Sequence, residues 1–303
     1  MSLRSFRAVG LLLALSLVCL AVIFTILSEE PNGWSDIDVP ANLLFSMNAS
    51  SAITRDVVSV CSKAVSHIAR RSCIITRLLK PLAAEPAIEI GGPSNIYNGD
   101  PYRIYQHLER CDNVRFGGST LWERDDGGVY HWVRGKPKGR QFILDAVNLS
   151  GIADASYSVV MSSHNLEHLV NPLKAIAEQK RILRPLGVLI ITLPNKELTF
   201  DHRRPTATLQ ELIEDYRRNT PESDLSHLDQ ILKLHDIGRD PGAGDLKKFR
   251  DRSLDNAKNR ALHQHVFDAA LMKAVLEFHG FSVATSDHTG VNIFTIAVRS
   301  EVP

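Results

Sequence analysis

Residues 155–195, "ASYSVVMSSHNLEHLVNPLKAIAEQKRILRPLGVLIITLPN", contain one full cycle of strand, turn, helix and strand. Tyr157 to Ser163 reads as a strand buried on both faces, because its apolar run is nearly continuous rather than alternating. Asn171 then offers an N-cap with Pro172 at the first helical position, and Leu173, Ile176, Ala177 and Leu183 fall on one helical face. Pro185 and Gly187 end that helix, and "VLIITLP" (188–194) supplies the next strand. Two buried strands joined through a helix form the repeating unit of a parallel α/β sheet.

The alternation extends outward on both sides. Upstream lie "AIEI" (87–90), running into Gly91-Gly92-Pro93-Ser94, then "NVRF" (113–116) and "QFILDAVNL" (141–149). Downstream, Thr208 and Glu211 form a capping box before a helix whose apolar face is Leu209, Leu212, Ile213 and Tyr216. Asp268 caps a last helix, with Leu271, Val275 and Phe278 inward and Gly280 as its stop, ahead of "FSVAT" (281–285) and "NIFTIAV" (292–298). These seven strands predict a Rossmann-like, doubly wound seven-stranded α/β sheet over residues 86–303, with 200–265 as an insertion or lid region.

The 303 residues carry 35 Lys and Arg against 34 Asp and Glu, for a formal charge of +1. Such a balance gives no footprint for a phosphate backbone, so no nucleic-acid partner is expected. From Ala8 to Leu27 no residue is charged, and a helix of that length spans roughly 30 Å, the thickness of a bilayer core. Arg4 and Arg7 precede the run and no Lys or Arg follows before Arg55. This pattern predicts a single-pass type II signal anchor at 8–28, a cytoplasmic tail at 1–7 and a lumenal body, as in Golgi and ER enzymes; a cleaved signal peptide is the alternative. Residues 29–85 read as a stem followed by capping helices, with apolar positions at Val57, Val60, Val65, Ile68 and Ile75. Cys61, Cys73 and Cys111 permit one disulfide and show no zinc spacing. Of the two glycosylation triplets, Asn48-Ala-Ser is the better acceptor, because Asn148 follows a strand expected to be buried.

His164-Asn-Leu-Glu167-His168 spells the H-x-x-E-H of a zinc peptidase. Two such histidines bind one ion only on a continuous helix, and here they occupy the turn before a helix that starts at Asn171, which argues against a peptidase. Further histidines follow the fifth strand: Asp201-His202, His227, His235, and His263 and His265 in "LHQH". In an extended segment the last two point the same way, so that Asp201, His202, His263 and His265 form a candidate divalent-metal or general-base set.

The order of these motifs resembles a class I S-adenosylmethionine-dependent methyltransferase of the type 11 group. The resemblance is carried by the fourth strand ending toward Glu167-His168, the Asn171-Pro172 helix start, "RILRPLG" (181–187) and a fifth strand closing on Pro194. It implies S-adenosylmethionine as cofactor, cradled by Glu89, Gly91 and Gly92, with Asp145 and Ala146 near the adenine and Ser163 and His164 facing the sulfonium and the acceptor. His164, His168 and His202 are the catalytic candidates. The chain departs from the family pattern in two places. Pro93 interrupts the glycine loop, and "NVRFGG" (113–118) lacks the ribose-binding acid, for which Glu109, Asp112 or Glu123 would have to substitute. The expected activity is methyl transfer to oxygen of a small polar or glycan acceptor. A metal-assisted hydrolase and a fold-only interaction module are the alternatives.

Overall fold

The structure, a computed structural model, describes residues 48–117 and 128–301. The chain divides into units 1–41 and 42–303, and every described residue lies in the second. The expected anchor at 8–28 is outside the described residues, among which no helix is long and apolar enough to cross a membrane.

Two helices open the domain, α1 (Asn48–Cys61) and α2 (His67–Leu79), joined by a Cys61–Cys73 disulfide. Ser66 caps α2 by accepting from the Ala69 amide. The buried face of α2 is Ile74, Ile75, Leu78 and Leu79, whereas Val60, Val65 and Ile68, three of the apolar positions noted in the sequence, are exposed. Val65 lies in the link between the helices, where helical spacing has no meaning.

Next come β1 (Ala87–Ile90), the single turn α3 (Asn95–Asn98), β2 (Cys111–Arg115), β3 (Val129–Tyr130), β4 (Gly139–Ile143) and β5 (Tyr157–Ser163). Helix α4 (Pro172–Ile182) leads to β6 (Leu183–Pro194). The sheet has eight strands, in the order β3-β4-β2-β1-β5-β6-β8-β7, where β7 is Phe281–Thr289 and β8 is Asn292–Arg299. Strands β4, β2, β1, β5 and β6 are parallel, and β3, β7 and β8 run antiparallel to their neighbours.

The strand beyond the expected seven is β3, a two-residue pairing with Arg140 and Gly139 that is too short to leave a periodic signal. The expected third strand stops at Ile143. Asp145 Oδ1 accepts from the Val147 amide and turns the chain, so "DAVNL" is a loop. Helix α4 ends at Ile182 rather than at Pro185, because the residue before a proline is pushed out of the helical region, and the chain is already extended at Leu183.

Alternate residues of the central strands feed two apolar layers. Ile88, Ile90, Val160, Leu189 and Ile191 meet α4 and the helix at Ala269–Phe278 on one face. Val159, Met161, Val188 and Ile190 meet α2 and a group of tyrosines on the other. Each such side chain contributes about 1.5–3 kcal/mol when fully buried, so a charged residue among them is a costly interruption. Glu89, fully buried in the middle of β1, is such an interruption.

The 200–265 region holds α5 (Leu209–Arg218), α6 (Leu228–Leu234), α7 (Leu246–Leu254) and the turn α8 (Asn256–Asn259). The capping box at Thr208 and Glu211 is present, and Leu212 is buried. Beyond α5 the insertion has a small core of its own, built on Leu228, Ile231, Phe249 and Leu262. Helix α9 (Ala269–Phe278) is capped by Asp268 with Leu271 and Val275 inward, but Phe278 at its last turn is exposed.

Candidate active site

The bend after β1 is built around a buried knot. Tyr105 and Tyr130 each donate to Glu89 Oε2 at 2.5 Å, and the Ser94 amide donates to the Tyr105 hydroxyl at 2.8 Å. Burial raises the Glu89 pKa, an effect opposed by the donors around it, among them the Tyr105 and Tyr130 hydroxyls. Asn113 on β2 grips the bend from the side: its Oδ1 accepts from the Gly92 amide at 2.9 Å and its Nδ2 donates to the Gly92 carbonyl at 3.1 Å. A Cβ on Gly92 would collide with the Glu89 carboxylate and the Tyr130 hydroxyl, so glycine is required there for close approach. Gly91, at φ +86°, turns the backbone into the open space above the sheet. Of the three residues expected to cradle a cofactor, Gly91 alone lines the cavity, while Glu89 and Gly92 hold the bend from beneath.

That cavity has a volume of about 840 Å³ and opens beyond the C-terminal ends of β1, β2, β4 and β5. In an open α/β sheet this is the expected ligand crevice, where strands leave β1 in opposite directions. Asp145, Ala146, Ser163, His164 and His168 all line it, as the sequence reading requires. The insertion closes the other side with Arg260, Ala261 and His263.

Arg260 was invisible to motif reasoning. It sits in a left-handed conformation (φ +51°) and lays its guanidinium over the Phe116 ring at 4.6 Å. Its Nη2 pairs with Asp145 Oδ2 at 2.6 Å and its Nη1 with Glu222. Glu222 in turn accepts from the Val170 and Asn171 amides at the start of α4. Phe116 therefore stands where β2 was expected to end on an acid. Of the named substitutes, Glu109 is exposed and Asp112 pairs with Arg140 and accepts from Tyr157 near the opposite end of β2, so neither fills the place; Glu123 is outside the described residues.

The histidines separate into groups. His164 (φ +49°) is half exposed and its Nε2 meets Asn292 Oδ1 at 2.7 Å. Leu166–His168 form a single 3₁₀ turn with Glu167 and His168 buried, so H-x-x-E-H does not lie on one helix. His168 Nδ1 donates to the Leu262 carbonyl at 3.1 Å, and burial holds its pKa well below the usual imidazole value. His263 Nδ1 meets Asp201 Oδ2 at 2.5 Å. Burial works against both charges of this pair, but their mutual attraction raises the His263 pKa and, with Arg204 at 3.0 Å from the carboxylate, lowers that of Asp201 to about 2.

His202 turns away to Asp236 at 2.8 Å and does not reach the cavity. His265 donates through Nε2 to the Val170 carbonyl at 2.9 Å. Asp201, His202, His263 and His265 thus do not converge on one point. Residues 263 and 265 lie in irregular backbone, where the two-residue alternation of a strand does not hold.

Residues 130–191 match the family model described as Methyltransferase domain, which overlaps the run from the fourth strand to Pro194 that carries the resemblance, so the resemblance holds. No curated protein matches the chain. Among solved structures it is similar to an S-adenosylmethionine-dependent methyltransferase from Mesorhizobium loti, with 9% identity over 74% of this chain and 95% of that one and a TM-score of 0.40. A methyltransferase from Aquifex aeolicus gives 13% identity, 80% and 97% coverage and a TM-score of 0.38. An O-methyltransferase family protein from Burkholderia thailandensis gives 13% identity, 86% and 60% coverage and a TM-score of 0.39. Likeness at this level carries nothing about substrate.

Proposed function

We propose that this chain is an S-adenosylmethionine-dependent methyltransferase acting on an oxygen of a small polar or sugar acceptor. The observation that carries the reading is the cavity itself, which brings the Gly91 bend, Asp145 with Ala146, and His164 to one crevice. The residues fit the cofactor. A Cβ on Gly91 would meet only Asn165 Nδ2, at 3.5 Å, so the bend leaves room for a ligand to lie against the backbone, and Asn165 Oδ1 is buried with no protein partner. Gly91 and Asn165 would hold the methionyl part, and Asp145 and Ala146 the adenine. The cofactor supplies an electrophilic methyl group on a sulfonium.

The protein's own part is positioning and proton handling. An acceptor hydroxyl must lie in line with the sulfur–methyl bond, and as the new carbon–oxygen bond forms its proton passes to a base while the thioether leaves. His164 is the base best placed, since its Nε2 is tied to Asn292 and Nδ1 is left as the acceptor. The polar lid side chains, Asp240 and Arg252 among those lining the cavity, support a hydroxyl-rich acceptor. The test is calorimetry with S-adenosylhomocysteine: saturable binding is expected for the full chain, and Gly91→Val should weaken it by at least about 10-fold, since a β-branched residue opposes φ +86° and fills the crevice. Equal binding by the variant refutes the assignment.

The same reading includes a type II anchor at residues 8–28 and a lumenal domain. Arg4 and Arg7 ahead of the apolar run support it, as does the Cys61–Cys73 disulfide, a bond that persists in oxidising compartments. Asn148, expected to be shielded, is exposed in a turn, so its Asn-Leu-Ser triplet offers a second glycosylation reporter beside Asn48. A glycosidase-sensitive mobility shift lost in Asn148→Gln would place the domain in the lumen.

A further inference from the structure

Glu167 is 1% exposed, and neither of its carboxylate oxygens has a hydrogen-bond partner. Leaving a buried carboxylate without partners costs several kcal/mol, so an unsolvated pair of oxygens calls for an occupant. What surrounds it are imidazole nitrogens. His168 Nε2 lies 3.8 Å from Oε1 and His164 Nδ1 3.9 Å, and one ligand atom each from Glu167, His168 and His263 fall within 4.8 Å of one another.

The second nitrogen of each ring decides what the first can do. His168 Nδ1 is spent on the Leu262 carbonyl, and the Nε2 edge of the ring stands on the Glu167 side, 3.8 Å from Oε1. His263 Nδ1 is spent on the Asp201 carboxylate, and Asp201 is fixed by Arg204, which also donates to the His263 and Gln264 carbonyls. A carboxylate or carbonyl behind each imidazole is the usual support of a metal-binding histidine, because it fixes the tautomer and aims the other nitrogen. The two rings stand edge to face, 4.6 Å between centroids at 84°.

We propose that Glu167, His168 and His263 bind one first-row divalent transition-metal ion on the floor of the cavity, with Asp201 and the Leu262 carbonyl as its outer supports. Two imidazoles and a carboxylate suit manganese, iron, cobalt or zinc better than calcium or magnesium. Ligand bonds of about 2.0–2.2 Å place tetrahedral ligand atoms about 3.3–3.6 Å apart, so His168 Nε2 and Glu167 Oε1, at 3.8 Å, need to close by only a few tenths of an ångström, and His263 has to follow by a side-chain adjustment. His168 and His263 also line the cavity, so the ion's remaining positions face the place where the acceptor hydroxyl would lie. Its use in methyl transfer rests on the methyltransferase reading; the binding itself does not. The other grouping, Asp215, His227 and His265, lacks an unsatisfied carboxylate, since Asp215 already accepts from Thr220.

The test is Co²⁺ titration of the full chain, kept in mild detergent and stripped with chelator, followed by visible absorption and elemental analysis, with no adenosyl ligand present. About one equivalent with a d–d band is expected. Glu167→Gln, close to isosteric, and His263→Gln should each weaken uptake at least about 100-fold, and Asp201→Asn about 10- to 100-fold, as for outer-sphere partners generally. His227→Ala should bind like the parent. Circular dichroism checks that each variant is folded, and Asp201→Asn carries the test if a ligand variant is not. No saturable uptake by the parent, parental affinity in Glu167→Gln, or loss confined to His227→Ala overturns the proposal. Calorimetry with S-adenosylhomocysteine is read separately, so the metal site and the cofactor site can fail independently.

Discussion

Replacing Tyr130 by phenylalanine removes one oxygen from the interior and changes no apolar contact. In the parent that oxygen donates to Glu89 Oε2, an atom that also accepts from Tyr105, while Oε1 has no partner. The carboxylate is fully buried, so no water can take over the lost bond. Hydrogen bonds to charged groups contribute about 1.5–3 kcal/mol, and the loss here belongs near the middle, about 2 kcal/mol, because the Tyr105 bond remains. For a domain of this size that corresponds to a fall in Tm of about 4–8 °C. Urea denaturation should show a lower midpoint with an unchanged slope, since the surface exposed on unfolding is the same. The bend should loosen as well, so S-adenosylhomocysteine affinity falls together with stability. A loss under about 0.5 kcal/mol, the size expected of a surface change, would show that Glu89 does not depend on Tyr130 and would refute the account of the bend.

Arg260→Met should destabilise the domain by about 2–3 kcal/mol, less than the full cost of breaking a buried pair because Asp145 is a quarter exposed. Added to Glu222→Gln it should cost less than the sum, with a coupling of about 1–2 kcal/mol by denaturation, and strict additivity would show that the bridge is not formed. Burial lowers the His265 pKa to about 4, so the folded state keeps it neutral where the unfolded chain, at about 6.5, takes up a proton. Its contribution is therefore complete above pH 6.5 and is lost as the pH falls toward 4, at a cost of about 1 kcal/mol between pH 7 and 5.5. The slope of stability against pH in that window should flatten in His265→Asn.

The sheet could be read from sequence wherever a local signal was strong. Strands β5 and β6 are two-sided apolar runs, and α4 between them opens on Asn171-Pro172, so each boundary has a local cause. Strand β3 has only two residues, and the turn at Asp145 depends on a side chain that returns to its own backbone; neither registers as periodicity. Within the site, residues at strand ends were found because topology places them there, as with Gly91, Asp145, Ser163 and His164. Their partners were not, since Tyr130 reaches Glu89 across 41 positions and Arg260 reaches Asp145 across 115. The histidines failed as a set for the same reason. Spacing counts residues, whereas Asp236, Asp201 and the Val170 carbonyl compete for the rings in space.

The cystine between α1 and α2 has a mechanical consequence. Helix α1 packs on β7 and β8 at one margin of the sheet, whereas β1, with the Gly91–Gly92 bend at its end, lies at the centre. A pull applied to the chain ahead of residue 48 would reach α1 first and be arrested at Cys61, whose covalent link to Cys73 hands the load to a helix seated by Ile74, Ile75, Leu78 and Leu79. Tension from that end is thereby absorbed two helices upstream of β1, and the geometry of the bend is insulated from it.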